Sequence, residues 1–205
     1  MPVSKKVILE HQSELSQCTR CPDMIGPVIT GEPTTSRVIQ VGQAPGIHEG
    51  RVGKPFGWTA GKTLFKWYQS IGIDENTFRK NVYMAAVCRC FPGKNPKGGD
   101  RVPSLDEIDL CRPWFETELG LLKPKLIIPV GKLAIQQFLE FNKLTEVIGQ
   151  QFKIQTPAGK TDCIPLPHPS GASTWHRMEP GKSLLQDALH LIESHPAMQK
   201  LIQHS

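Results

Sequence analysis

The chain has 205 residues, 39 % of them hydrophobic, a size and composition that suit one globular domain with a full core over 1–205. No apolar run approaches the ~20 residues that span a bilayer, and the start, MPVSKKVILEHQSEL, is too polar for a secretory signal. These features exclude a membrane-spanning helix and point to a cytoplasmic protein. Lys plus Arg number 24 against 19 Asp plus Glu, an excess that permits a polyanionic partner without requiring one.

Residues 4–17 read as a helix, with Val7, Ile8 and Leu15 on a loosely periodic face. Residues 18–35 form a loop rich in Pro, Gly and Thr. A short strand, 37–41, leads into VGQAPGIHEGRVGKPFGWTAG, a glycine-dense loop over 41–61. A helix over 62–71 follows, with Leu64, Trp67, Tyr68 and Ile71 on one face. The next strand is 82–87, and 91–103 is a polar Gly/Pro/Lys loop. Ser104 and Glu107 have the capping-box spacing, and the helix they start carries Ile108, Cys111, Phe115, Leu119 and Leu122 on one face until Pro124. A fully apolar strand over 126–130, a turn at Gly131 and a helix over 133–141 come next. Short strands over 152–155 and 163–166 flank a Pro-Ala-Gly turn, and a helix over 182–193 closes the pattern.

Strands alternating with helices predict an α/β fold: a three-layer α/β/α sandwich around a mostly parallel sheet. Open sheets of this kind bind ligands at the carboxyl ends of strands. The glycine-dense loop sits at one such end, and His168-Pro169-Ser170 at another, so both are expected to face one crevice.

Cytoplasmic cysteines seldom form disulfide frameworks. Cys18 and Cys21 are spaced C-x-x-C, which lets two thiolates reach one metal. With two distant cysteines the pair suits structural zinc or an iron–sulfur cluster. Against this, Cys111 lies on an apolar helix face, and Cys88 and Cys163 lie in or beside apolar strands, where buried thiols are common.

The motifs GQAPG at 42–46, GKPFGWTAG at 53–61, CRCFPGKN at 88–95 and HPS at 168–170 together resemble the uracil-DNA glycosylase superfamily, most closely its iron–sulfur families 4 and 5. The similarity runs from the Cys18/Cys21 pair to the last helix. It implies a uracil-DNA glycosylase-like fold and a [4Fe–4S] cluster on Cys18, Cys21, Cys90 and Cys111, with structural zinc as the alternative. The cluster would pin the N-terminal segment and the loop 93–101 to the core. It further implies base excision from DNA containing a damaged base by a monofunctional enzyme, acting as a monomer without a membrane.

Such an enzyme rotates the nucleotide out of the stack into a pocket. By resemblance Phe56 stacks on the extruded base. His168 donates a hydrogen bond to the oxygen that gains negative charge as the base departs, Glu49 stabilises the cationic sugar, and Gln43 stands beside them. Gln43, Ala44, Pro45 and Gly46 line the base through their backbone, with Ala86 at the end of the second strand. Ser170, Gly171, Trp175, His176 and Arg177 would meet DNA, Trp175 as a wedge. The alternative placement for Trp175 is against the last helix.

Two departures from the family pattern stand out. Gln43 replaces a glutamate usual in family 4. Ala86 replaces an asparagine that reads the polar edge of uracil, a loss of roughly 1–3 kcal/mol of discrimination unless another group substitutes. A non-catalytic nucleic-acid-binding protein on this scaffold, and a zinc-stabilised nucleotide-binding domain, are the competing readings.

Overall fold

The computed structural model describes residues 3–96, 98–171 and 173–202. Its helices and strands are α1 (Lys5–Ser16), β1 (Val38–Gly42), α2 (Glu49–Val52), α3 (Thr59–Ser70), α4 (Glu75–Asn81), β2 (Tyr83–Ala86), α5 (Leu105–Leu122), β3 (Leu126–Pro129), α6 (Lys132–Gln136), β4 (Phe152–Thr156), β5 (Gly159–Cys163), α7 (Gly181–Ser194) and α8 (Pro196–Ile202). The sheet order is β2-β1-β3-β5-β4, parallel from β2 to β5, with β4 antiparallel at the edge. The expected mostly parallel α/β fold is what forms.

β1 and β3 are buried along their whole length, as strands covered on both faces must be. Alternation divides their side chains between two cores. Val38, Met84, Leu126 and Ile128 pack with α3, α4, α7 and α8, while Ile39, Val41, Tyr83 and Ile127 pack with α1 and α5. Gln40 is the polar exception in β1, and its Oε1 accepts from the Tyr68 hydroxyl at 2.7 Å. α5 starts on the expected capping box: Ser104 Oγ accepts from the Glu107 amide, and Glu107 Oε2 accepts from the Ser104 amide. It stops at Lys123, in left-handed backbone before Pro124.

Three local expectations shift. The last strand begins at Gly159 rather than 163, because the 157–159 turn lets it pair back on β4. Its continuation stays extended, with Leu166 bonded to Pro129 and Gly131. The helix after Gly131 tightens into i→i+3 bonds beyond Gln136. Finally, α2, α4 and α8 form where no helix was expected. Each is too short, at four to seven residues, to show a periodic signal, although Asp74 caps α4 and Pro196 opens α8.

A buried polar group ties α1 and α5 to β2. Glu118 of α5, fully buried, accepts from Tyr83 Oη at 2.6 Å, pairs with Arg89 and lies 3.4 Å from His11 Nε2. Burial opposes its ionisation, but Arg89 and the hydrogen bonds outweigh that and hold its carboxyl below the usual range. Replacing Glu118 by Leu strands the buried guanidinium. We expect a loss of about 3–5 kcal/mol, read as a lower urea midpoint; an unchanged midpoint would show the pair is dispensable.

Candidate active site

The register puts Gly42 of β1 beside Ala86 of β2, and Val41 beside Pro129 of β3. The carboxyl ends of these strands therefore share one edge with the segment after β5. A cavity of about 610 Å³ opens there. Gln43, Ala44, Pro45, Gly46, Glu49, Phe56, Ala86, His168 and Ser170 all line it.

His168 follows the extended run after β5. Its Nδ1 accepts from the Ser170 amide at 3.2 Å. That bond places the hydrogen of the neutral ring on Nε2, which becomes a donor. Burial, then the nearby His176, lowers the His168 pKa, so the ring is neutral at neutral pH. The ring lies hard against Gly131: a Cβ there would stand 2.9 Å from His168 Cδ2.

Phe56 is held in left-handed backbone at φ 50°, a conformation a bulky residue adopts only when its surroundings impose it. Arg79 of α4 imposes it, donating from Nη1 to the Pro55 carbonyl (2.8 Å) and from Nη2 to the Phe56 carbonyl (3.0 Å). The Phe56 carbonyl also presses on α3, where a Cβ on Gly61 would come within 1.8 Å of it. The ring lies over the end of β1, 3.0 Å from where a Gly42 Cβ would be. The glycines of the motif thus serve close backbone approach.

Glu49, on α2, bridges the two halves of the loop. Oε2 accepts from the Gly46 amide at 2.6 Å and Oε1 from the Gly57 amide at 3.0 Å. Burial raises its pKa, only partly offset by these amides and the charge of Arg79. On the far rim a hairpin turn brings in Lys94 and Asp100, ion-paired at 2.6 Å. Both line the cavity, and Asp100 sits against Gly46.

Comparison with known proteins agrees with this geometry. The profile of the "Uracil DNA glycosylase superfamily" matches residues 29–191. The chain belongs to that superfamily. It is 30 % identical over 140 residues to a type-4 uracil-DNA glycosylase of Archaeoglobus fulgidus, covering 66 % of each chain. It is 30 % identical over 173 residues to a type-4 enzyme of Thermotoga maritima, covering 82 % of this chain and 84 % of the relative. A type-5 uracil-DNA glycosylase of Pyrobaculum aerophilum is 25 % identical over 177 residues, covering 72 % and 76 %. The chain thus spans just under two thirds of the Archaeoglobus relative's length.

Within this superfamily member, the residues expected to meet DNA after His168 divide. Ser170 lines the cavity, while Gly171 is exposed just beyond it. Trp175 is half-buried, packed on the core and on the start of α7, where a Gly181 Cβ would meet it at 2.8 Å. It lies outside the cavity wall, so its packing follows the alternative expectation rather than that of a free wedge. His176 is buried, with its ring edge on Trp67 at 5.1 Å, and Arg177 is exposed. Residues the sequence did not single out also build the site: Arg79, Gly131, Trp58, Lys94 and Asp100. Arg79 and Gly131 act through packing that only the fold reveals. The exposed Trp58 was readable as part of GKPFGWTAG.

The four expected metal ligands lie around a second cavity, of about 340 Å³. Cys18 and Cys21 come from the loop after α1, Cys90 from the segment after β2, and Cys111 from α5. Among the described residues no three metal-binding side chains stand together closely enough to hold an ion. The donor chemistry still fits an anionic cluster. Arg89, 2 % exposed, shares the wall, and its Nη1 is buried without an acceptor. Cys88, fully buried, packs in the same core as Cys111 and does not line the cavity. Cys163 is buried in β5.

Gly131→Ala should displace the His168 imidazole, seen as a change in its ring-proton resonances. Gly120→Ala, where a methyl meets nothing within 4 Å, should leave them unchanged. Identical spectra for both would show that Gly131 does not set the ring position.

Proposed function

We propose that the protein is a monofunctional DNA glycosylase that hydrolyses the N-glycosidic bond of uracil or a related deaminated base in DNA. The shared cavity carries this reading: the Phe56 ring, the His168 donor and the backbone of the 43–46 loop surround one space of a size suited to a small ligand. The names of the relatives support uracil as the base; Ala86 and Gln43 favour a looser reading of its edge.

In this account the extruded base stacks on Phe56 and points its developing oxyanion at Nε2 of His168. The low pKa of His168 suits donation from a neutral ring, which adds no like charge beside the cationic sugar. The backbone amides of Gln43 and Ala44 offer further donors, since Pro45 has none and Glu49 holds that of Gly46. The Glu49 carboxylate holds that loop against the Phe56 loop and stabilises the sugar cation, and water completes the hydrolysis. Cys18, Cys21, Cys90 and Cys111 would hold a [4Fe–4S] cluster, whose contribution is to cross-link α1 and its loop to α5. Arg89 would give its spare donor to that anion. We read the chain as one domain acting as a cytoplasmic monomer, with Ser170, Gly171 and Arg177 on the DNA side and His176 buried behind them against Trp67.

The test is release of the base from a labelled uracil oligonucleotide, read as alkali-labile breaks; no breaks with any deaminated base would defeat the proposal. His168→Ala should lower excision about 10²–10³-fold while leaving DNA binding nearly intact. Equal loss of both would remove its catalytic role.

The acid limb of the rate profile should lie above the ordinary glutamate range. Glu49 is active as the carboxylate and, being raised, loses its charge at a higher pH than an exposed glutamate. Glu49→Gln should abolish that limb; a limb that survives belongs to another group. By the same shift, this carboxyl's contribution to folding stability is present below its unfolded pKa and is lost as pH rises through the raised value. Cys90→Ser should deplete bound iron and Cys88→Ser should retain it, measured as iron per protein; the reverse would reassign the ligand.

A further inference from the structure

Trp58 is unlike the other three tryptophans. Trp67 and Trp175 pack on one core and Trp114 on the other, whereas Trp58 belongs to neither and is 48 % exposed. It is the residue immediately before α3, at its N-cap, on the wall of the base cavity. The His48 ring backs it, with centroids 4.6 Å apart and planes at 31°, and Arg51 Nη2 in turn lies 3.2 Å from His48 Nδ1. An indole held this way has little freedom to lose on binding, yet about half of its surface stays open to solvent.

The surroundings say what would use it. Between residues 47 and 66 the chain carries four cations, Arg51, Lys54, Lys62 and Lys66, all exposed. The single acid there, Glu49, is turned inward onto the Gly46 and Gly57 amides. A rigid exposed aromatic in a stretch rich in exposed cations is the pattern that binds single-stranded nucleic acid, stacking on a base while the cations follow the phosphates.

We infer that Trp58 is a stacking platform for the base next to the extruded nucleotide, on the same strand. This rests on the DNA-binding and base-extrusion parts of the proposed function and not on its chemistry. Occupying the indole keeps the neighbouring base from re-entering the stack, so the extruded nucleotide is held in the cavity from outside as well as from within.

The test uses the iron-loaded full chain and a thymidine oligonucleotide carrying one tetrahydrofuran abasic site. Its addition should quench the protein's tryptophan fluorescence, and Trp58→Phe should remove most of that quench while Trp67→Phe keeps it. Binding should weaken about five- to one-hundred-fold in Trp58→Leu and be largely preserved in Trp58→Phe, since stacking needs a ring and not merely bulk. A quench that persists in Trp58→Phe, or wild-type binding by Trp58→Leu, overturns the inference. An enzyme that excises no base yet shows the Trp58-dependent quench defeats the glycosylase reading and leaves this one standing.

Discussion

Parallel pairing of β1 with both β2 and β3 is the constraint on which the site depends. It brings Gly42, Ala86 and Pro129 to the same edge of the sheet. The run after β5 joins that edge through the Leu166 bonds to Pro129 and Gly131. Two loops far apart in sequence therefore face each other without either having to reach. Were β1 to slip by one residue, its side chains would exchange cores and Gly42 would no longer lie beneath Phe56.

Close backbone contact then fixes the loops. Gly61 and Gly131 lack a Cβ where one would strike the Phe56 carbonyl and the His168 ring. Arg79 and Glu49 supply the polar counterparts, one binding the carbonyls of the loop and the other its amides. The carbonyls of Pro55 and Phe56 and the amides of Gly46 and Gly57 are thus partnered, and the Phe56 ring lines the cavity. A rigid cradle of this kind spends little of its binding energy on ordering itself.

Much of this was legible in the sequence, and the reasons differ by element. The capping box at Ser104 and the apolar run 126–130 are strong local signals, and both elements form where expected. The pairing of His168 with Phe56 followed from strand ends and motif order. Arg79 was invisible because its role is to bind two carbonyls 23 and 24 residues away, a contact with no sequence period. For Trp175 the sequence left two placements, a wedge and packing on the last helix; Gly181 opens room for it against α7, a contact with no local sequence signal. Spacing paired Cys18 with Cys21 and the resemblance added Cys90 and Cys111 as expected ligands, but the Arg89 donor in the same wall, buried without an acceptor, emerged only from the fold.

The most direct measurement is a crystal structure of the protein soaked with free uracil. The account predicts the ring stacked on Phe56, with a carbonyl oxygen within hydrogen-bond distance of His168 Nε2. Uracil bound elsewhere, or a His168 ring turned to present Nδ1, would contradict it.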